Sequence, residues 1–147
     1  MSVSTLDKIH SYSQQQGIRL TNTRLAVLSL LAESTRPLSA YQLLEGYQQR
    51  YQKSYQPTTV YRVLTFLEQH GLVHKLAATR QYVLCQELGK KHGRCVEFLH
   101  CDKCGNLTEV PDMESIYQAL QSQTQHLGFT LNQPTLELHG VCARCQV

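Results

Sequence analysis

The apolar residues in the first half of the chain recur every three or four positions, which predicts a series of α-helices. A first helix is expected to end near Gly17, and a second to begin with Thr21 or Asn22 as its cap. Ser39 and Gln42 have the spacing of a capping box, so a third helix should begin at this point.

A fourth helix is predicted after Pro57, and Gly71 suits its C-terminal cap. Its apolar side chains stand at helical spacing and form a stripe that must face the interior: Val60, Val63, Leu64 and Leu67. Beyond this helix the segments LVHKL and QYVLC alternate between apolar and polar residues and flank the short connection AATR. This pattern predicts a two-stranded β-hairpin.

The second half of the chain mixes strands with one helix. VEFLHC, NLTEV and TLELHGVC are predicted strands. A helix is expected from Met113 to about Leu127, capped by Asp112 and ended by Gly128. A unit of about fifty residues is small for an independent core, so we expect it to need a metal ion and a partner subunit.

Together these patterns predict an α+β protein with two domains. Residues 1–85 should form an N-terminal winged helix-turn-helix domain, and residues 86–94 a linker. Residues 95–147 should form a small C-terminal α/β unit.

Composition and charge narrow the class of protein. The chain has 147 residues, of which 41% are hydrophobic and 17% charged, so a globular protein is expected. No export signal or membrane span is predicted, and we expect a cytoplasmic protein. Residues 1–85 hold nine Lys or Arg against four Asp or Glu, whereas residues 86–147 hold five against seven. The basic first half is suited to nucleic acid, although such an excess also occurs on ordinary solvated surfaces.

Helices followed by a hairpin in a basic segment are typical of winged helix-turn-helix proteins, which bind duplex DNA. The fourth helix would enter the major groove, where Arg62 would reach a guanine edge or a phosphate. The residues expected to contact DNA are Tyr41, Thr58, Thr59, Tyr61 and Arg62. The alternative is that the arginine is merely solvated and that the tyrosines pack between helices.

Two pairs of cysteines, in HCDKCG and HGVCARC, share the spacing C-x-x-C. Four thiolates can close a tetrahedral site with no open position, which is the arrangement of a structural zinc ion. The predicted ligands are Cys101, Cys104, Cys142 and Cys145. A redox-active pair and chance spacing are the competing interpretations. His100 and His139 lie beside these pairs and are not needed as ligands.

The segments IRLTNTRLAVL, LSAYQLL, PTTVYRVLTFLEQHGLVHK, YVLC, HCDKCG and LHGVCARC resemble the ferric uptake regulator family, and most of all its zinc uptake regulator branch. The resemblance covers nearly the entire chain. It implies a homodimeric, metal-dependent repressor that binds operator DNA and controls zinc uptake genes. It also implies that residues 86–94 are a hinge and that residues 95–147 are an α/β dimerisation domain with the structural zinc ion. A catalytic activity is not expected.

The same resemblance implies a second, regulatory zinc ion in each subunit. Its ligands would be His74, Cys85, His92 and Glu109, although the linker around His92 differs in length from the family pattern. One thiolate, two imidazoles and a carboxylate suit zinc better than ferrous iron or manganese. The alternative is an ordinary strand histidine, a small buried thiol and a solvated glutamate.

Other functions stay open at this point. An iron- or peroxide-sensing regulator of the same family is one alternative, but the histidine-rich run usual in those relatives is missing before Cys101. A thiol oxidoreductase is another, and a zinc deaminase is disfavoured because neither C-x-x-C follows a proline. Cys95, His100 and His126 are possible substitute ligands or members of a further site.

Overall fold

The computed structural model describes residues 4–53, 55–86, 88, 96–110, 114–131 and 135–146. The chain divides into two compact units, Met1–Leu88 and Gly89–Val147. Each is considered by itself below. No helix in the described ranges is both long and apolar enough to cross a membrane.

Among its described residues, the first unit contains four helices and a small sheet. The elements in chain order are α1 Thr5–Gln16, α2 Asn22–Glu33, β1 Leu38–Ser39, α3 Ala40–Tyr51, α4 Pro57–Gln69, β2 Val73–Lys75 and β3 Gln81–Leu84. The sheet has the order β1-β3-β2, and both strand pairs are antiparallel. The predicted helices and the predicted hairpin are therefore all present.

The ends of the helices follow from their cap residues. Gly17 has φ +67° and ends α1, a conformation that costs glycine little. The Thr21 hydroxyl accepts a hydrogen bond from the backbone of Arg24 and caps α2. At α3 the capping box is complete, because the N–H of Gln42 donates to the Ser39 hydroxyl at 3.1 Å and the N–H of Ser39 donates to the Gln42 side chain at 2.9 Å.

The core of the first unit collects apolar side chains from all four helices and the hairpin. The buried members are Ile9, Val27, Leu28, Leu31, Ala40, Leu43, Leu44, Val60, Val63, Leu64, Leu67, Leu72, Val73 and Tyr82. The predicted stripe of α4 lies entirely within this set, so α4 turns its opposite, polar face outward.

In the part of the second unit that the structure describes, there are a three-stranded sheet and one α-helix. Its elements are β4 Val96–Cys101, β5 Leu107–Val110, α5 Glu114–Gln125, β6 Thr135–Gly140 and a 3₁₀ turn, Ala143–Cys145. The central strand β4 is antiparallel to β5 and parallel to β6. Parallel pairing needs a crossover connection, and α5 lies in that connection.

Three details of the elements differ from the sequence predictions or lie outside them. The strand β1 has only two residues, which is too short for a periodic signal, and the 3₁₀ turn after Cys142 was not predicted either. The helix α5 ends at Gln125, two residues before the predicted end, and Gly128 follows with φ +70°. The predicted cap Asp112 lies outside the described residues.

Candidate metal centre and nucleic-acid interface

The four paired cysteines are brought together by the pairing of β4 with β6. Cys101 ends β4 and has Gly140 of β6 as its register partner, two residues before Cys142. The N–H of Gly105, at φ +74°, donates to the carbonyl of Cys101 at 2.9 Å and closes the turn that carries Cys104.

The geometry of this cluster fits a tetrahedral ion. The four sulfur atoms all lie within 4.8 Å of one another, and the sulfurs of Cys104 and Cys142 are 3.8 Å apart. Zinc–sulfur bonds of about 2.3 Å in a tetrahedron imply sulfur–sulfur distances of about 3.8 Å. The donor set is therefore suited to Zn²⁺ with little rearrangement.

Hydrogen bonds prepare one of these thiols to bind a cation. The N–H of Cys142 donates to the sulfur of Cys101 at 3.3 Å. This bond and a weaker one from the backbone of Cys104 lower the pKa of Cys101 to about 6. In contrast, a hydrogen bond to the neighbouring Cys142 thiol is the main cause that raises the pKa of Cys145 to about 12. All four become thiolates together only if a cation compensates their charge.

The predicted regulatory ligands His74 and Cys85 lie together in the first unit. His74 stands on β2 opposite Val83 of β3, and Cys85 follows β3, where its N–H donates to the carbonyl of Leu72 at 2.9 Å. The Cys85 thiol is buried, and a ring nitrogen of His74 lies within 4.8 Å of its sulfur.

The other two predicted regulatory ligands belong to the rest of the chain. Glu109 is a buried residue of β5 in the second unit, and its register partner on β4 is Phe98. His92 lies outside the described residues.

The polar face of α4 presents the residues that were predicted to contact DNA. Tyr61 is 54% exposed and Tyr41 at the start of α3 is 72% exposed. Thr58 and Arg62 are exposed as well, whereas Thr59 is half-buried. Exposure of both tyrosines argues against the alternative that they pack between helices.

Three basic residues of the first unit were not singled out from the sequence. The guanidinium of Arg24 on α2 stacks on the ring of Phe66 of α4, 3.4 Å from its centroid, and donates to the carbonyl of Arg19 at 2.7 Å. On the hairpin, Lys75 and Arg80 are exposed, and Arg80 has φ +56° at the turn. The positive φ has no reliable sequence signal for arginine, but the basic hairpin itself could have been noticed.

A helical unit with a β-hairpin wing and an outward polar helix, followed by an α/β unit with four clustered cysteines, is the architecture of a metal-dependent winged-helix protein. The chain belongs to the ferric uptake regulator family, because the sequence profile of that family matches residues 15–139.

The chain is also similar to individual known proteins and structures. The chain is 36% identical over 131 residues to the zinc uptake regulation protein of Escherichia coli K12, covering 89% of this chain and 75% of the relative. It is similar to the crystal structure of holo XcZur, with a TM-score of 0.79, 36% identity and coverage of 97% and 96% of the two chains. It also matches a zinc uptake regulator complexed with zinc and DNA, with a TM-score of 0.81, 32% identity and coverage of 99% and 96%.

Proposed function

We propose that this protein is a zinc-responsive transcriptional repressor, which binds operator DNA as a zinc-loaded homodimer and controls zinc uptake genes. The similarity to a zinc uptake regulation protein and to a regulator complexed with zinc and DNA supports this function. Within the chain, the observation that carries the choice of metal is the proximity of Cys85 and His74. Thiolate and imidazole donors together favour zinc over ferrous iron or manganese.

In this proposal the first domain, residues 1–85, binds DNA. The N-terminal part of α4 enters the major groove, and Arg62 binds a guanine edge or a phosphate there. Hydroxyl groups hold the phosphate backbone and position the helix: those of Tyr41, Thr58, Thr59 and Tyr61. The excess of basic residues in this domain attracts the duplex.

The second domain, residues 95–147, holds the structural zinc ion and forms the homodimer. The ion is bound by Cys101, Cys104, Cys142 and Cys145, which leave no coordination position open. It joins the turn after β4 to the C-terminal segment after β6, so it stabilises the fold of the domain and performs no catalytic step. Such clustered free thiols are suited to the reducing cytoplasm.

Regulation comes from the second zinc ion. His74 and Cys85 supply its ligands on the hairpin, and the family resemblance adds His92 of the linker, residues 86–94, and Glu109 of the second domain. Because the ligands come from segments that are separate in the chain, zinc favours one arrangement of the domains over the others. In the favoured arrangement the two copies of α4 in the dimer should reach major grooves about one DNA turn apart.

A selection from random duplexes with the zinc-loaded full-length protein supplies an operator for the test. Fluorescence anisotropy then measures its affinity with Zn²⁺, with Mn²⁺, with Fe²⁺ under anaerobic conditions, and with a chelator. Zn²⁺ should strengthen binding by about 5- to 150-fold, the usual range for allosteric coupling. Equal binding in the chelator, or a response to Fe²⁺ alone, contradicts the proposal, and the second result favours the iron-sensing alternative.

A further inference from the structure

A second cluster of metal-binding side chains lies in the second unit, next to the four cysteines. His100 on β4 and His139 on β6 are register partners in the parallel pair, so their side chains stand side by side on one face of the sheet. Asp102 follows β4, and its N–H donates to the carbonyl of Gly140 at 2.8 Å. The sheet and the turn thus hold two imidazoles and a carboxylate at one place.

The distances in this cluster resemble those around a bound ion. One oxygen of Asp102 lies 3.0 Å from Nδ1 of His139 and 3.5 Å from Nδ1 of His100. The two rings are 4.9 Å apart between centroids. Ligand atoms about 2.0–2.1 Å from a tetrahedral zinc ion are about 3.3–3.4 Å from one another. The two carboxylate–imidazole distances lie on either side of this value.

Hydrogen bonds within the cluster do not satisfy all of its polar atoms. The Asp102 carboxylate pairs with His139 at 3.0 Å and makes only a long contact of 3.5 Å to His100, whose Nδ1 is inaccessible to solvent and has no hydrogen bond of normal geometry among the residues that the structure describes. Such a buried ring nitrogen is costly unless something binds it. A cation between the three side chains would satisfy this nitrogen.

The surroundings of the cluster are partly open. His100 and His139, but not Asp102, are among the residues that line a cavity of about 360 Å³ in the second unit. The side chains of His100, His139 and Asp102 are 31%, 48% and 58% exposed, so water can complete the coordination and the ion can exchange.

We propose that His100, Asp102 and His139 bind a divalent transition-metal ion, in addition to the four-cysteine site and the regulatory site. Two imidazoles and a carboxylate suit Zn²⁺ and its first-row neighbours and do not suit Mg²⁺ or Ca²⁺, which prefer oxygen ligands. With three protein ligands and an open position, this site binds zinc more weakly than the four thiolates do. The inference uses the second unit alone and is independent of the proposed repressor function.

The test counts zinc in the full-length protein with Zn²⁺ alone as the probe. The protein is first loaded until the cysteine and regulatory sites are full, and calorimetric titration then measures further binding. Wild-type protein should take up one additional equivalent per chain. His100→Gln and His139→Gln should each lose it, because glutamine keeps a polar group of similar reach but is a poor zinc ligand. His10→Gln is the control, since His10 is exposed on α1 and belongs to none of the proposed metal sites.

A second measurement distinguishes a metal site formed by the two histidines from a role in which they only support the four-cysteine site. Zinc held by the thiolates is measured from the reactivity of the cysteines before and after a denaturant. The proposal requires that this zinc stays in both glutamine variants while the additional equivalent disappears. It is overturned if wild type takes up no additional equivalent, if either variant keeps it, or if the thiolate zinc is lost with it.

Discussion

The Cys101→Ser substitution removes the most deeply placed thiolate of the four-cysteine site. Cys101 is 3% exposed, and backbone donors lower its pKa to about 6, so at neutral pH it already favours the form that binds zinc. A serine hydroxyl stays protonated there and is a poor zinc ligand. We therefore expect the structural zinc to be lost or held far more weakly.

The expected effect on stability comes from comparing the contribution of the zinc ion with that of the buried apolar side chains in the second unit. In the part of this unit that the structure describes, the large buried apolar side chains are Phe98 and Tyr117. Burial of two such residues contributes roughly 3–6 kcal/mol at about 1.5–3 kcal/mol each. Structural zinc contributes about 10–16 kcal/mol in small zinc domains. The metal is the larger of these two contributions, so its loss should unfold this unit and leave the separate core of the first unit intact.

Amide hydrogen exchange on the full-length protein, together with zinc analysis, tests this expectation. In Cys101→Ser, protection should be lost in β4 and β6 and retained in α2 and α4, and the dimer should dissociate. Ala143→Ser is the control, because it adds a hydroxyl next to the ligand Cys142, at an exposed position, and removes no ligand. Normal protection of β4 and β6 in Cys101→Ser with a full zinc count would refute the reasoning.

Three further predictions concern the regulatory ion, the DNA interface and the first core. Cys85→Ser should keep the structural zinc but lose the second zinc and the zinc-dependent gain in operator affinity. Cys95→Ser should keep the second zinc and this gain in affinity. Zinc analysis and anisotropy measurements test both expectations. Arg62→Ala should weaken specific operator binding by about 1–3 kcal/mol, and Arg144→Ala should not, as anisotropy would show. Leu64→Ala, at a site with 0% exposure, should lower the free energy of unfolding by about 2–5 kcal/mol in a denaturant titration.

Much of the first unit was predictable because its signals are local. The stripe on α4 and the capping box of Ser39 and Gln42 each depend on residues within one or two helical turns. The hairpin has only a short connection between its strands, so alternation on both sides was sufficient. The clustering of the four cysteines was predictable for a different reason, because cysteine pairs at ligand spacing are expected to share an ion whatever fold joins them.

The remaining features depend on contacts between distant parts of the chain. The two residues of β1 pair with β3, more than forty positions away, and no periodicity of a two-residue strand can predict this. The stacking of Arg24 on Phe66 likewise needs the packing of α2 against α4. The strands β4 and β6 were predicted, but their parallel pairing and register were not. For that reason the sequence showed only that His100 and His139 neighbour the cysteines, and it did not predict that both lie close to Asp102.

The register of β6 on β4 ties the two metal clusters of the second unit together. The same alignment that sets Cys101 beside Gly140 sets His100 beside His139. A slip of β6 by one residue would turn His139 to the other face of the sheet and draw Cys142 away from Cys101. Zinc bound by the four thiolates would hold this register, because it would join the end of β4 to the segment that follows β6. Four thiolates bind zinc more tightly than two imidazoles and a carboxylate, so the four-cysteine site should load first and the proposed weaker site second.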